Sequence, residues 1–308
     1  MNKVKIFTAI VILTNINVVN AQQRLTGFHT MIAEFTQKYA PDLKPLVKFH
    51  DWDEKMFLND GKRYLEALPT YFHEQVHLFN DSLTSRSDKV VSRYYFFDGH
   101  AIEISKIDVY KTAVINSIVP NDIKNNIVRY KLYINGDSRQ NNIPLNPDTQ
   151  ENGIYGLLEE FTAYYYSNLA YARIYDYMKD HYSYDRMEWF DYLGSRSNFV
   201  NTYYEFRLFI GYYFLFCKQQ RPEMYKALSG NAALINLITE TDKKFKLLVE
   251  DYWRVRDEIV KRSKNKILFR DNYLISQMTN DRYILPERQI KDLENAYTQE
   301  IASAMKPD

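Results

Sequence analysis

The chain has 308 residues, 45% hydrophobic and 26% charged, with a formal net charge of +1. This allows one large domain or two ordinary ones, excludes a disordered chain, and offers no basic stripe for a nucleic-acid ligand. The single cysteine, Cys217, excludes an internal disulfide, and 27 Tyr with 18 Phe predict a core rich in hydroxyls that each need a partner.

The first 21 residues, MNKVKIFTAIVILTNINVVNA, read as a secretory signal peptide. Lys3 and Lys5 form a charged start, Ile6 to Leu13 an apolar run, and Val19-Asn20-Ala21 a small-residue cleavage site. The run is too short to cross a bilayer comfortably. A mature chain beginning near Gln22, secreted or periplasmic and without a membrane span, is therefore expected as a single domain over 22–308.

Residues 27–66 read as mostly helical, broken at Pro41, Pro45 and Asn59-Asp60-Gly61. LPTYFHEQVHLFNDSL then predicts a helix with Pro69 in its first turn and Asn80-Asp81-Ser82 at its frayed end. Residues 90–135 are rich in β-branched and aromatic residues with partial alternation, and Asp98-Gly99 and Asn135-Gly136 are turn signals. Two to four antiparallel strands are expected there.

After the loop DSRQNNIPLNPDTQENG the pattern is helical over 155–180, 186–217, 222–240, 241–265 and 286–304. The apolar run FRLFIGYYFLFC (206–217) is short and contains Arg207, which fits a core helix better than a membrane one. The charge-rich stretch 241–265 reads as a solvated helix with Phe245, Leu248, Tyr252, Val255 and Ile259 on its buried stripe. The expected fold class is α+β, predominantly helical, with a small antiparallel β-sheet inserted early.

Within the 71–80 helix stands His73-Glu74-Gln75-Val76-His77, an H-E-x-x-H pattern. Residues four apart share a helix face about one turn apart, so both imidazoles can bind one tetrahedral Zn²⁺. Glu74, about 100° round the helix, is placed to hold a water beside the metal without being a ligand. No third histidine follows nearby; His29, His50, His100 and His181 are isolated.

The third ligand is sought in YGLLEEFTAYYYSNLAYARIYDYM. A carboxylate in such apolar surroundings is costly unless paired or metal-bound. Glu160 shares its face with the mostly small Gly156, Ala163, Tyr164 and Ser167, which leaves room for a metal; Glu159 lies on a bulkier stripe. Glu160 is the favoured ligand, Glu159 the alternative, and an exposed pair near a helix N-terminus the bland reading.

H-E-x-x-H followed by a Glu on a later helix resembles the gluzincin metallopeptidases, and Glu160-Phe161-Thr162-Ala163 is similar to the E-F-x-A second motif of lethal-factor-like members. The resemblance covers two short motifs separated by 82 intervening residues. It implies a zincin-like helical domain and one catalytic Zn²⁺ held by His73, His77 and Glu160. It further implies Glu74 as general base and a peptide or protein substrate, with a second motif that differs in having Glu159 and Tyr164 where the thermolysin type has Asn and Asp. Tyr164, Tyr165, Tyr166 and His181 are candidates to stabilise an oxyanion; Tyr164 or His181 could also support the ligands. A peptide could add as a strand to the 90–135 sheet. The alternatives are a secreted glycan- or protein-binding protein with a structural or lost metal site, and a zinc hydrolase of another class.

Overall fold

Residues 154–181 carry apolar side chains on nearly every face, and the rest of the chain is arranged around them. A helix without a polar face can only be stable inside a protein. The computed structural model describes residues 27–48, 64–83, 91–96, 99–134, 147–285, 287–297 and 301; the expected signal peptide, His50 and the Asn59-Asp60-Gly61 and Asn135-Gly136 breaks lie outside them.

Helix α1 (27–38) and a 3-10 segment (Pro41–Leu46) precede α2 (Tyr64–Leu83). The hairpin of β1 (Val91–Tyr95) and β2 (Ala101–Ser105) follows. A 3-10 turn (Thr112–Ser117) then leads to short helices α3 (Asn121–Asn126), α4 (Tyr130–Tyr133) and α5 (Pro147–Glu151). The long helices α6 (Ile154–His181), α7 (Met187–Gln220) and α9 (Ala232–Arg262) follow, with the short α8 (Pro222–Ser229) between the last two. Strands β3 (Ile267–Arg270), β4 (Tyr273–Ser276) and β5 (Arg282–Ile284) precede α10 (Glu287–Ala296). The fold is the predominantly helical α+β class expected from the sequence, with two small antiparallel sheets rather than one.

Helix α6 is buried at most positions from Ile154 to Tyr171 and again at Ile174, Tyr175 and Met178, and is flanked by α2, α7 and α9, with α5 across its first turns. Helix α2 sets Leu68, Phe72 and Val76 into the core at spacing four, and packs along α6 more extensively than any other pair of elements. Ser167 on α6 donates a hydrogen bond to the Pro69 carbonyl of α2 at 2.9 Å and ties the two helices together. Pro69 is not in the first turn, as expected, but sixth in a helix that already runs at Tyr64; its missing N–H leaves the Leu65 carbonyl without that helical partner.

Several buried tyrosines anchor on backbone carbonyls of other elements. Tyr94 reaches Tyr155 at 3.1 Å, Tyr192 reaches Tyr171 at 3.0 Å and Tyr213 reaches Tyr110 at 2.6 Å. The main chain thus meets part of the hydroxyl demand foreseen from composition, and side chains such as Asn116, which accepts from Tyr130 at 2.6 Å, meet more of it. Residues 206–217 lie inside α7 as a core segment, and among the described residues no helix is long and apolar enough to cross a membrane.

Three expectations change. Of the residues read as strand over 90–135, the two strands of one hairpin form among the described residues, with Gly99 at φ +80° between them and Asp98 outside the described residues; the segment 106–134 is irregular or helical. Its buried Ile123, Ile127, Tyr130 and Ile134 recur every three to four residues, a helical period that β-branched composition obscured. The helix expected over 222–240 divides at Gly230-Asn231, where the Asn231 side chain caps α9 by accepting from the Leu234 N–H at 3.1 Å. On the charged helix α9, Phe245, Tyr252, Val255 and Ile259 are buried as expected, but Val249 is buried in place of Leu248.

Candidate metal centre

The two motifs meet where α2 crosses the first turns of α6. His73, His77 and Glu160 each bring one ligand atom within 4.8 Å of the others. His73 Nε2 and His77 Nε2 are 3.2 Å apart. Glu160 Oε2 lies 3.5 Å from His73 Nε2, and Glu160 Oε1 lies 3.8 Å from His77 Nε2. Ligands about 2.0–2.1 Å from a tetrahedral ion stand roughly 3.3–3.4 Å from one another. The donor set could therefore hold a metal ion with little adjustment.

Each ligand is positioned by its neighbours. Gly156 on α6 is in close contact with α5: a Cβ at Gly156 would stand 2.3 Å from the Thr149 carbonyl oxygen. That approach brings the Thr149 hydroxyl to Glu160 Oε1 at 3.1 Å, while Tyr133 on α4 donates to Glu160 Oε2 at 3.2 Å. The small face expected around Glu160 thus admits α5 as well as leaving space for an ion. His77 donates its Nδ1–H to Glu159 at 3.1 Å, which points the Nε2 lone pair toward His73 and Glu160. His73 packs its ring 4.5 Å from the Tyr164 ring, and its Nδ1 is buried with no hydrogen-bond partner among the described residues.

The electrostatics favour a cation. Glu160 is only 3% exposed. Burial alone would raise its pKa, but hydrogen bonding from His73, the charges of the two histidines and the Thr149 hydroxyl hold it down to about 2. Burial opposes charge on His77 too, yet the Glu159 hydrogen bond and the nearby Glu160, Glu159 and Glu74 carboxylates raise it to about 9. The two Nε2 atoms face each other at 3.2 Å, an arrangement that suits a cation between them.

The centre opens into a cavity of about 630 Å³, whose wall includes Glu74 and Tyr164. Tyr164 hydrogen-bonds Tyr133 at 3.1 Å, and Arg129 sits 5.3 Å from its ring. Burial raises the Tyr164 pKa, with Arg129 acting against it. Arg129 is fixed by a 2.8 Å ion pair to the fully buried Glu205 of α7.

The structure therefore brings together His73, Glu74, His77, Glu160 and Tyr164. It does not bring His181, which ends α6 twenty-one residues beyond Glu160, about 31 Å along the axis; exposed, it bonds the Tyr177 carbonyl at 2.7 Å through Nδ1. Tyr165 and Tyr166 are buried in the core. His29 and His100 do not join the centre. The sequence gives no local signal for Tyr133 or Thr149, which arrive from separate short helices, whereas Glu159 was weighed as a ligand and instead orients one.

No protein-family model, no curated protein and no solved structure matches the chain.

Proposed function

We propose that the chain is an exported zinc-dependent metallopeptidase of the gluzincin type. The observation that carries this reading is the convergence of His73, His77 and Glu160 on one point of a cavity that Glu74 also lines. Two imidazoles, one carboxylate and space for a fourth partner fit a catalytic zinc better than a closed structural site.

A bound zinc would polarise the substrate carbonyl and make water a nucleophile near neutral pH. The chain's own residues supply the rest. Glu74 accepts a proton from the attacking water and returns it to the departing amine, so that the peptide and one water yield a carboxylate and an amine. Tyr164 can turn its hydroxyl hydrogen from Tyr133 toward the oxyanion as it develops. Tyr133 and Thr149 keep Glu160 in place, and Glu159 keeps the His77 ring in its metal-facing tautomer.

Zinc content of the chain from Gln22 and of Glu160→Gln tests the site. About one zinc per chain is expected in the wild type and sharply less in the variant. Glu74→Gln should keep the metal and lose peptidase activity by at least about a hundredfold. A wild type that stays empty when offered zinc, or a Glu74→Gln variant as active as wild type, overturns the reading.

A further inference from the structure

We infer that Arg129 is a positioning residue: held by Glu205, it fills the oxygen side of the Tyr164 hydroxyl and leaves that hydroxyl with only its hydrogen to offer. The use of this hydrogen on an oxyanion rests on the peptidase reading; its direction rests on the contacts around Tyr164.

A tyrosine hydroxyl carries one hydrogen and can also accept. Tyr133 gives its hydrogen to Glu160 Oε2 at 3.2 Å, so at the 3.1 Å contact between the two hydroxyls Tyr164 is the donor. Tyr164 also meets the Arg129 guanidinium, which hydrogen-bonds its hydroxyl and lies 5.3 Å from its ring. A guanidinium has five donors, no acceptor and a permanent charge. It can therefore only fill a lone pair of the Tyr164 oxygen. The hydrogen has to point elsewhere, toward Tyr133 or into the cavity that Tyr164 lines. Donation from Arg129 also polarises the Tyr164 O–H, which makes it the stronger donor.

Arg129 is itself held against turning. Its Nη1 donates to Glu205 Oε2 at 2.8 Å, and its Nη2 donates to the Asn198 carbonyl at 3.3 Å. Glu205 Oε1 accepts the Val128 N–H at 3.0 Å, so one carboxylate grips both main chain and side chain just before α4. Glu205 is fully buried, where a lone charge is costly. A pair that served only to tie this segment to α7 would be met as well by Lys. The planar fork is what lets one side chain serve Glu205, Asn198 and Tyr164 together. Asn168 fixes the same wall from the main chain, donating to the Tyr164 and Phe199 carbonyls at 2.9 and 3.0 Å.

The test is binding of acetohydroxamate, a small anion that takes zinc through two oxygens, to the zinc-loaded full chain, read by calorimetry. Wild type, Arg129→Lys, Tyr164→Phe and the double variant form a cycle. Tyr164→Phe should weaken binding by about tenfold, and Arg129→Lys by roughly threefold to tenfold, with zinc content unchanged in both. In the Tyr164→Phe background, Arg129→Lys should change affinity by less than about twofold. If Arg129→Lys does not fold, Arg129→Met combined with Glu205→Gln takes its place, since that pair leaves no buried charge unpaired. Losses that simply add in the double variant, or an Arg129→Lys protein that binds as wild type does, overturn the inference. On the best-cleaved member of a quenched-fluorescent peptide library, Arg129→Lys should lower kcat and leave KM within about twofold. Wild-type protein that shows the hydroxamate cycle yet cleaves no peptide would remove the peptidase reading alone. Cleavage accompanied by additive losses would remove this inference alone, and a chain that takes up neither zinc nor acetohydroxamate would remove both.

Discussion

His77 donates one ring proton to Glu159 and faces His73 with the other nitrogen, so it holds a charge that a metal ion would have to displace. Its pKa of about 9 stands above the ordinary value of 6.5. In metal-free protein the stabilisation from this charge is complete below about pH 6.5 and is lost as pH rises through about 9. Metal binding runs the other way, because it requires His77 neutral at Nε2. Over pH 6.5 to 8.5 one proton should leave for each ion bound, and zinc affinity should rise about tenfold per unit. Glu160, held near 2, stays ionised throughout and adds nothing to this slope. Calorimetry in two buffers of different ionisation enthalpy would count the proton; a pH-independent affinity would mean that His77 is not a ligand. At this scale much was legible in the sequence. Spacing four put the histidines on one face, and small neighbours separated Glu160 from Glu159. His181 has a suitable side chain but the wrong position along α6, which ends there far from Glu160. Tyr133 could not be found by spacing, since it reaches Glu160 only through tertiary packing.

The contact between α5 and α6 depends on one missing methyl group. A Cβ at Gly156 would meet the Thr149 backbone at 2.3–2.8 Å, and backbone cannot swing aside as a flexible side chain can. Gly156→Ala should therefore cost about 1–3 kcal/mol of stability, and by moving Thr149 off Glu160 it should also weaken zinc binding. Thr149→Val, which removes the hydroxyl alone, separates the two effects: it should weaken zinc binding with a smaller loss in thermal melting. The elements themselves were read unevenly. The long helices were visible because their apolar periodicity runs over many turns. The sheet of β3, β4 and β5 is built from strands of three or four residues, too short to show a period, and only its first hairpin carries a local signal. Asp271 and Asn272, between Arg270 and Tyr273, both adopt positive φ (53° and 65°), a conformation that Asp and Asn tolerate and that suits a two-residue hairpin turn.

Across the whole molecule, the centre joins α2 to α6, the pair of elements in most extensive contact. An ion held by both helices binds the folded chain and has no equivalent site in the unfolded one, so it stabilises in proportion to its occupancy. At a free zinc concentration a hundred times the dissociation constant the gain is about 2.7 kcal/mol. Thermal melting should accordingly rise by several degrees on adding zinc, fall back with a chelator, and show no shift for Glu160→Gln. A zinc-independent melting temperature in wild-type protein would mean that the three ligand atoms do not act together. The ion pair between Arg129 and Glu205 extends this bracing to α7, so the wall carrying Tyr164 is held from a third helix.

The 82 residues between His77 and Glu160 also set an order of events during synthesis. At about 5–20 residues per second, Glu160 follows His77 out of the ribosome by roughly 4 to 17 seconds. Until then the emerging chain offers two histidines on a helix that lacks its most extensive partner, α6, a bidentate grip open to any passing transition metal. If the three residues hold an ion, its choice would therefore be decided only after translation has passed Glu160, by the compartment in which the chain folds.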